Sequence, residues 1–229
     1  MEIALRRKVG NNGAMARPSR SRETAGPLNE DRVVDAALAL IATRGLEGLS
    51  MRALGQALGV EAMSLYHWFA SKDRLLDAVA DRLLARVVVP PTPAAGAWRD
   101  WLAGVARSYR RVGLAHRRAF PLLAARHFLS PGATAFLQAN IAAHRAAGFT
   151  VRESLRLTRS IGAYVNGIVL AEVAPSPSLQ AASRGDDRQW KETAAALKHP
   201  DLDGAFEYGL ACILDGAQKR LPNKRRGRS

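Results

Sequence analysis

Apolar residues recur at helical intervals from the first ordered-looking stretch onward. In "PLNEDRVVDAALALIATRG", Val34, Leu38 and Ile41 share one face. Asn29 is placed to cap the first turn, Glu30 and Asp31 suit its positive end, and Leu28 with Val33 has hydrophobic-staple spacing. Gly45 follows as the stop. Two short helices, Ser50 to Leu58 and Glu61 to Phe69, are joined through Gly59 and Val60. A fourth starts at the cap residue Ser71 and runs through "KDRLLDAVADRLLARVVV" to the prolines at 90, 91 and 93, the expected domain boundary. Periodicity returns in Trp98 to Arg111, Arg117 to Phe128, Ala133 to Ala147, Val151 to Val173, Gln189 to Leu197 and Leu202 to Leu221, with the polar loop "PSPSLQAASRGDD" after Ala174. No strand alternation and no internal repeat is present, so the expected class is all-α.

The pair of short helices has a particular geometry. Ala53, Leu54, Ala57 and Leu58 form one face of the first, and Leu65 and Phe69 one face of the second, with Val60 between them. Small residues at 53 and 57 allow close approach, and Gly59 permits a sharp turn. With Leu65 and Phe69 inward, Ala62, Met63, Ser64, Tyr66 and His67 point outward, next to Lys72. Small, hydroxyl and aromatic groups beside a lysine suit a DNA major groove, where apolar groups meet thymine methyls and polar ones reach base edges or phosphates. A plain helical hairpin inside a larger core is the alternative that pattern alone leaves open.

Charge agrees with a polyanionic partner. The formal net charge is +14, of which residues 1–26 hold +4 and residues 219–229 hold +6. One cysteine, Cys212, excludes an internal disulfide. No signal-like apolar run follows the first basic residues, and the most apolar stretch, Ile161 to Ala171, falls short of a membrane span, so a cytoplasmic protein with no membrane partner is expected. His67, His116, His127, His144 and His199 are scattered, and there is no HExxH, GxSxG, GxxxxGK[ST] or GxGxxG pattern. The expectation is no enzyme, no metal and no cofactor.

Asn29 to Leu84 resembles the DNA-binding domain of the tetracycline-repressor (TetR) family of bacterial transcription regulators. The resemblance is carried by "ALALIATRGLEGLSMRALGQALGVEAMSLYHWFASKDRLLDAV". "WRDWL" from Trp98, "AHRRAF" from Ala115, "AAGF" ending at Phe149 and "GIVLAE" ending at Glu172 are similar to the C-terminal domain of the tetracycline repressor's own subgroup. The resemblance implies a three-helix helix-turn-helix domain over 27–88, joined by a long helix to an effector-binding and dimerisation domain over 94–221, with a basic arm over 1–26 and a basic tail over 222–229. Carried over by position, the DNA contacts are Arg52, Ala62, Met63, Ser64, Tyr66, Trp68 and Lys72. Trp68 stands where the namesake repressor has histidine and His67 where it has tryptophan, so both are candidates.

The resemblance further implies a homodimer that binds double-stranded operator DNA and releases it on binding a small molecule. Gly162, Ala163, Gly167, Gly204, Ala205, Gly209 and Ala211 are small residues suited to close packing across a two-fold axis. Val88, Leu123, Ala163 and Val105 occupy the positions of the namesake's metal–tetracycline ligands, which argues against that effector. A largely apolar ligand is expected instead, in a pocket drawn from Val105, Tyr109, Leu122, Leu123, Arg126, Asn140, Tyr164 and Asn166. The alternative is a non-specific nucleic-acid-binding or ligand-independent regulator.

Overall fold

A computed structural model of the chain describes residues 27–126, 130–174, 192 and 200–221. Among these residues every regular element is helical. The arm over 1–26, the tail over 222–229 and nearly all of the expected helix over 189–197 lie outside them.

The N-terminal unit is α1 (Glu30–Arg44), α2 (Met51–Leu58), α3 (Ala62–Leu65) and α4 (Lys72–Leu84). Asn29 and Ser71 cap their helices as expected, accepting from the Arg32 amide at 2.9 Å and the Arg74 amide at 3.2 Å, and Ser50, expected as the first residue of its helix, caps α2 instead by accepting from Ala53 at 3.1 Å. Gly59 closes α2 in the left-handed region at φ 70°. Val33, Ile41, Leu54, Leu65, Leu75 and Val79 form a common buried core.

Within this unit two expected helix ends move. The second short helix ends at Leu65 and continues only as turns, with the Trp68 and Phe69 amides both bonding the Leu65 carbonyl. The fourth ends at Leu84 rather than running to the prolines, because the Arg86 and Val87 amides tighten onto Leu83 and Leu84 and the Val88 amide donates to Ser108 Oγ at 2.8 Å. The backbone there leaves the helix to bond the next domain.

That domain contains α5 (Trp98–Ala115), α6 (Phe120–Arg126), α7 (Pro131–Ala147), α8 (Val151–Val173) and α9 (Leu202–Gln218). α8 is its axis, packed by α5, α7 and α9. A capping box of Thr150 and Glu153 starts α8, and Gly148 ends α7 at φ 105°. On α9, Phe206, Leu210, Leu214 and Ala217 face inward, and an ionic ladder fixes one edge to α5: Arg99 to Asp215 (2.5 Å), Arg107 to Glu207 (2.6 Å) and Arg110 to Asp203 (2.6 Å).

His144 is fully buried on α7, with neither ring nitrogen hydrogen-bonded and its ring edge against Phe149. Burial pushes its pKa down to about 4 from the ordinary 6.5. The folded chain therefore disfavours the imidazolium, so stability is complete above pH 6.5 and falls as pH drops from there toward 4. Urea titrations across that window are expected to lose about 3 kcal/mol through this residue, and His144→Leu to flatten the profile.

Candidate DNA-reading surface and effector cavity

Leu65 and Phe69 turn into the core, and the residues between and before them turn out. Met63 is 76% exposed and Tyr66 43% exposed, and Arg52, Ser64, His67 and Lys72 are exposed with them. Ala62 is half-buried, its backbone pressed against α2. His67 and Trp68 differ in packing. Trp68 rests half-buried on the core and His67 projects outward, the two rings meeting edge to face at 5.2 Å.

The close approach of α2 and α3 has a different origin from the one periodicity suggests. Ala57 is exposed, and the residue at the crossing is Gly55. A Cβ there would lie 2.8 Å from the Val60 carbonyl oxygen and 3.2 Å from the Ala62 nitrogen. The glycine at the centre of "MRALGQAL" was the available signal.

In the second domain, Leu84, Leu102, Val105, Tyr109, Phe136 and Asn140 line a cavity of about 40 Å³, together with Ala106, Thr158, Ile161, Gly162 and Val165. Its wall is apolar apart from a few groups. Asn140 donates to the Phe136 carbonyl at 2.8 Å, and buried Thr158 Oγ1 has no partner. The Tyr109 hydroxyl, kept protonated by burial that raises its pKa, donates to Asn166 Oδ1 at 3.0 Å. Three of the eight expected pocket residues, Val105, Tyr109 and Asn140, thus line the cavity, and Asn166 supports one of them.

The other four are placed elsewhere. Leu122 and Leu123 are core residues of α6. The Tyr164 hydroxyl bonds the Phe206 carbonyl at 2.8 Å and its ring stacks on Phe206, which turns it toward α9. Arg126 is drawn out of the pocket by two carboxylates on α4, Asp73 (2.8 Å) and Asp77 (2.7 Å). Phe136, Thr158 and Ile161 were not anticipated, because helical periodicity marks them only as inward-facing. Among the described residues there is no group of three potential metal ligands, and no helix is long and apolar enough to cross a membrane.

Outer faces of α8 and α9 carry an exposed run of small and apolar residues. Ala163, Gly167 and Leu170 lie on α8, and Ala205, Tyr208 (76% exposed) and Ala211 on α9. Gly162, Gly204 and Gly209 are spent within the chain: Gly162 lines the cavity, Gly204 packs on Asp201 and Gly209 on Tyr164.

Known proteins resemble both halves. Residues 33–79 match the bacterial regulatory proteins of the tetR family, and residues 90–221 match the tetracyclin repressor-like C-terminal domain. The class A tetracycline repressor protein from transposon 1721 of Escherichia coli is 34% identical over 205 residues, covering 84% of this chain and 92% of that protein. The Streptomyces coelicolor TetR family protein ActR in complex with (S)-DNPA superposes with a TM-score of 0.73 at 28% identity, over 86% of this chain and 100% of ActR. BioQ on its double-stranded DNA operator superposes with a TM-score of 0.63 at 28% identity, over 85% and 100%.

Proposed function

The chain belongs to the tetR family of bacterial regulatory proteins, and from that premise we propose that it is a homodimeric repressor released from its operator by a small, largely apolar ligand. As a transcriptional regulator it is not an enzyme. The observation that carries the operator reading is the exposed group Met63, Ser64, Tyr66 and His67 on and just after α3, flanked by Arg52 and Lys72. Met63 and Ser64 are suited to base edges; Tyr66 and Lys72 are suited to phosphates. The exposed faces of α8 and α9 among the described residues supply a surface for a second copy, which would set two reading helices ~34–36 Å apart, one turn of DNA.

The cavity supports the ligand reading. At about 40 Å³ it is too small for a ligand of drug size, which takes ~300 Å³ or more, so binding has to part α4, α5, α7 and α8. A wall of Leu102, Val105, Phe136 and Ile161 with Asn140 and Thr158 among them suits a flat apolar molecule bearing one or two polar groups. A hundredfold loss of operator affinity needs ~2.7 kcal/mol of coupling between ligand and DNA, within the usual range. ActR and BioQ, bound respectively to a small molecule and to an operator, are precedents for the two halves.

Fluorescence anisotropy of the full chain on labelled duplex from immediately upstream of its coding region, against scrambled duplex over a salt series, tests the operator reading. A preference of ~10³ or more is expected for the upstream duplex. Tyr66→Ala is expected to cost about tenfold or more, the loss of one hydrogen bond to a charged phosphate. The basic tails, which hold +10 of the +14 net charge, favour a second reading as a non-specific binder. Equal and steeply salt-dependent binding to both duplexes, unaffected by Tyr66→Ala, would favour it and sink the first.

A further inference from the structure

We propose that Asp81 on α4 is the positioning residue that couples the effector cavity to the DNA-reading domain, through a joint with the N-terminus of α7. This rests on the ligand-responsive repressor reading above. Three carboxylates, Asp73, Asp77 and Asp81, recur one turn apart on α4 and all three face the second domain. The first two are held by Arg126 at the end of α6. The third is held differently. Asp81 Oδ1 accepts from Ser130 Oγ, and Oδ2 accepts from the Gly132 amide at 3.2 Å. Buried Ser130 is also the cap of α7, accepting from the Ala133 amide at 3.2 Å. The Asp81 carboxylate therefore sits on the positive end of a 17-residue helix.

Both sides of this joint reach the cavity within one or two turns. Leu84, one turn beyond Asp81 on α4, forms part of the cavity wall, and so do Phe136 and Asn140 on α7. A ligand that expands the cavity has to move Leu84 away from Phe136 and Asn140, and the same displacement draws Asp81 off the α7 N-terminus. Arg126 holds the other half of α4, so the helix swings about that clamp and carries α3 with it. A Cβ on Gly132 would lie 2.7 Å from Asp81 Oδ1 and 2.8 Å from its Cγ, so an alanine there has to push the Asp81 carboxylate aside. One methyl group there opens the joint as a ligand would, with no change of charge.

The test uses full-length Gly132→Ala, Asp81→Ser and the double variant, with no ligand and with the duplex the wild type prefers. Gly132→Ala is expected to bind that duplex about tenfold more weakly while its circular dichroism and melting temperature stay near wild type. Asp81→Ser vacates the obstructing carboxylate, so adding Gly132→Ala to it is expected to cause no further loss. Hydrogen exchange supplies a readout that a purely structural role would not move. Duplex binding at α3 slows exchange of the first-turn amides of α7 in the wild type, and not in Gly132→Ala. Wild-type affinity in both single variants, or additive losses in the double, overturns the joint. If Gly132→Ala misfolds, Asp81→Asn decides in its place, since it keeps the shape, removes the charge and has to weaken duplex binding in the same direction. A wild-type chain that prefers no duplex overturns the repressor reading, and the joint with it.

Discussion

Gly55→Val is expected to abolish sequence-specific DNA binding while leaving the second domain folded. The Cβ it introduces would meet the Val60 carbonyl oxygen at 2.8 Å and the Ala62 nitrogen at 3.2 Å. Those are backbone atoms of the turn that sets α3, so no rotamer change relieves the collision, and overpacking of this kind costs about 1–3 kcal/mol even where the fold survives. A displaced α3 takes Met63 and Ser64 out of the register proposed for them against base edges, while Arg52, Lys72 and the basic tails still attract phosphate. The expected result is loss of the whole specificity ratio, ~10³ or more, with weak salt-dependent binding left. Anisotropy against matched and scrambled duplexes measures it, and a variant that keeps its preference would show that Gly55 does not set the α3 position.

The largest loss of stability is expected from Arg110→Met. Arg110, whose side chain is 12% exposed, bridges α5 to Glu172 on α8 at 2.9 Å and to Asp203 on α9 at 2.6 Å, with its guanidinium 4.8 Å over the Phe206 ring. Burial works against its charge, but the hydrogen bonds it donates to Asp203 and Glu172, with the attraction of their charges, outweigh burial and raise its pKa. Glu172 is 6% exposed, so removing Arg110 leaves a carboxylate buried without its partner. Breaking such a pair typically costs 3–5 kcal/mol, roughly, whereas replacing both members with apolar residues is often neutral or better. Urea unfolding of Arg110→Met and of Arg110→Met with Glu172→Leu separates the two effects. A small loss in the single variant would mean that water reaches Glu172. Since α8 and α9 carry the face assigned to the second copy, the single variant should also weaken dimerisation.

Local signals were legible in the sequence wherever a structural event is decided by near neighbours. Asn29, Ser50, Ser71 and Thr150 cap the helices they precede, and Gly45, Gly59 and Gly148 end α1, α2 and α7 at positive φ. The outward set at 63, 64, 66 and 67 followed from Leu65 and Phe69 alone, because four-residue spacing leaves no other face. α8 was bounded correctly at both ends, since its start is a complete capping box. α4 was read too long for a reason no local rule contains. The amide that ends its run of helical bonding, Val88, is claimed by Ser108, twenty residues away on another helix.

The pocket shows where sequence reading stops. Val105, Tyr109 and Asn140, expected from the resemblance, lie on helices that enclose the cavity. Arg126 and Tyr164 were expected beside them, but Asp73 and Asp77 capture the one and Phe206 the other, across 53, 49 and 42 positions of chain. Thr158 and the Asp81 joint are likewise products of helices that meet only after folding. Helix class, caps, the reading face and the basic tails are thus determined by residues within a turn or two of one another, or by composition. Which polar groups reach the cavity, which are consumed by ion pairs, and how α4 is held to α6 and α7 were decided by tertiary packing. The partners there compete in three dimensions, and a side chain goes to the neighbour that best offsets its desolvation.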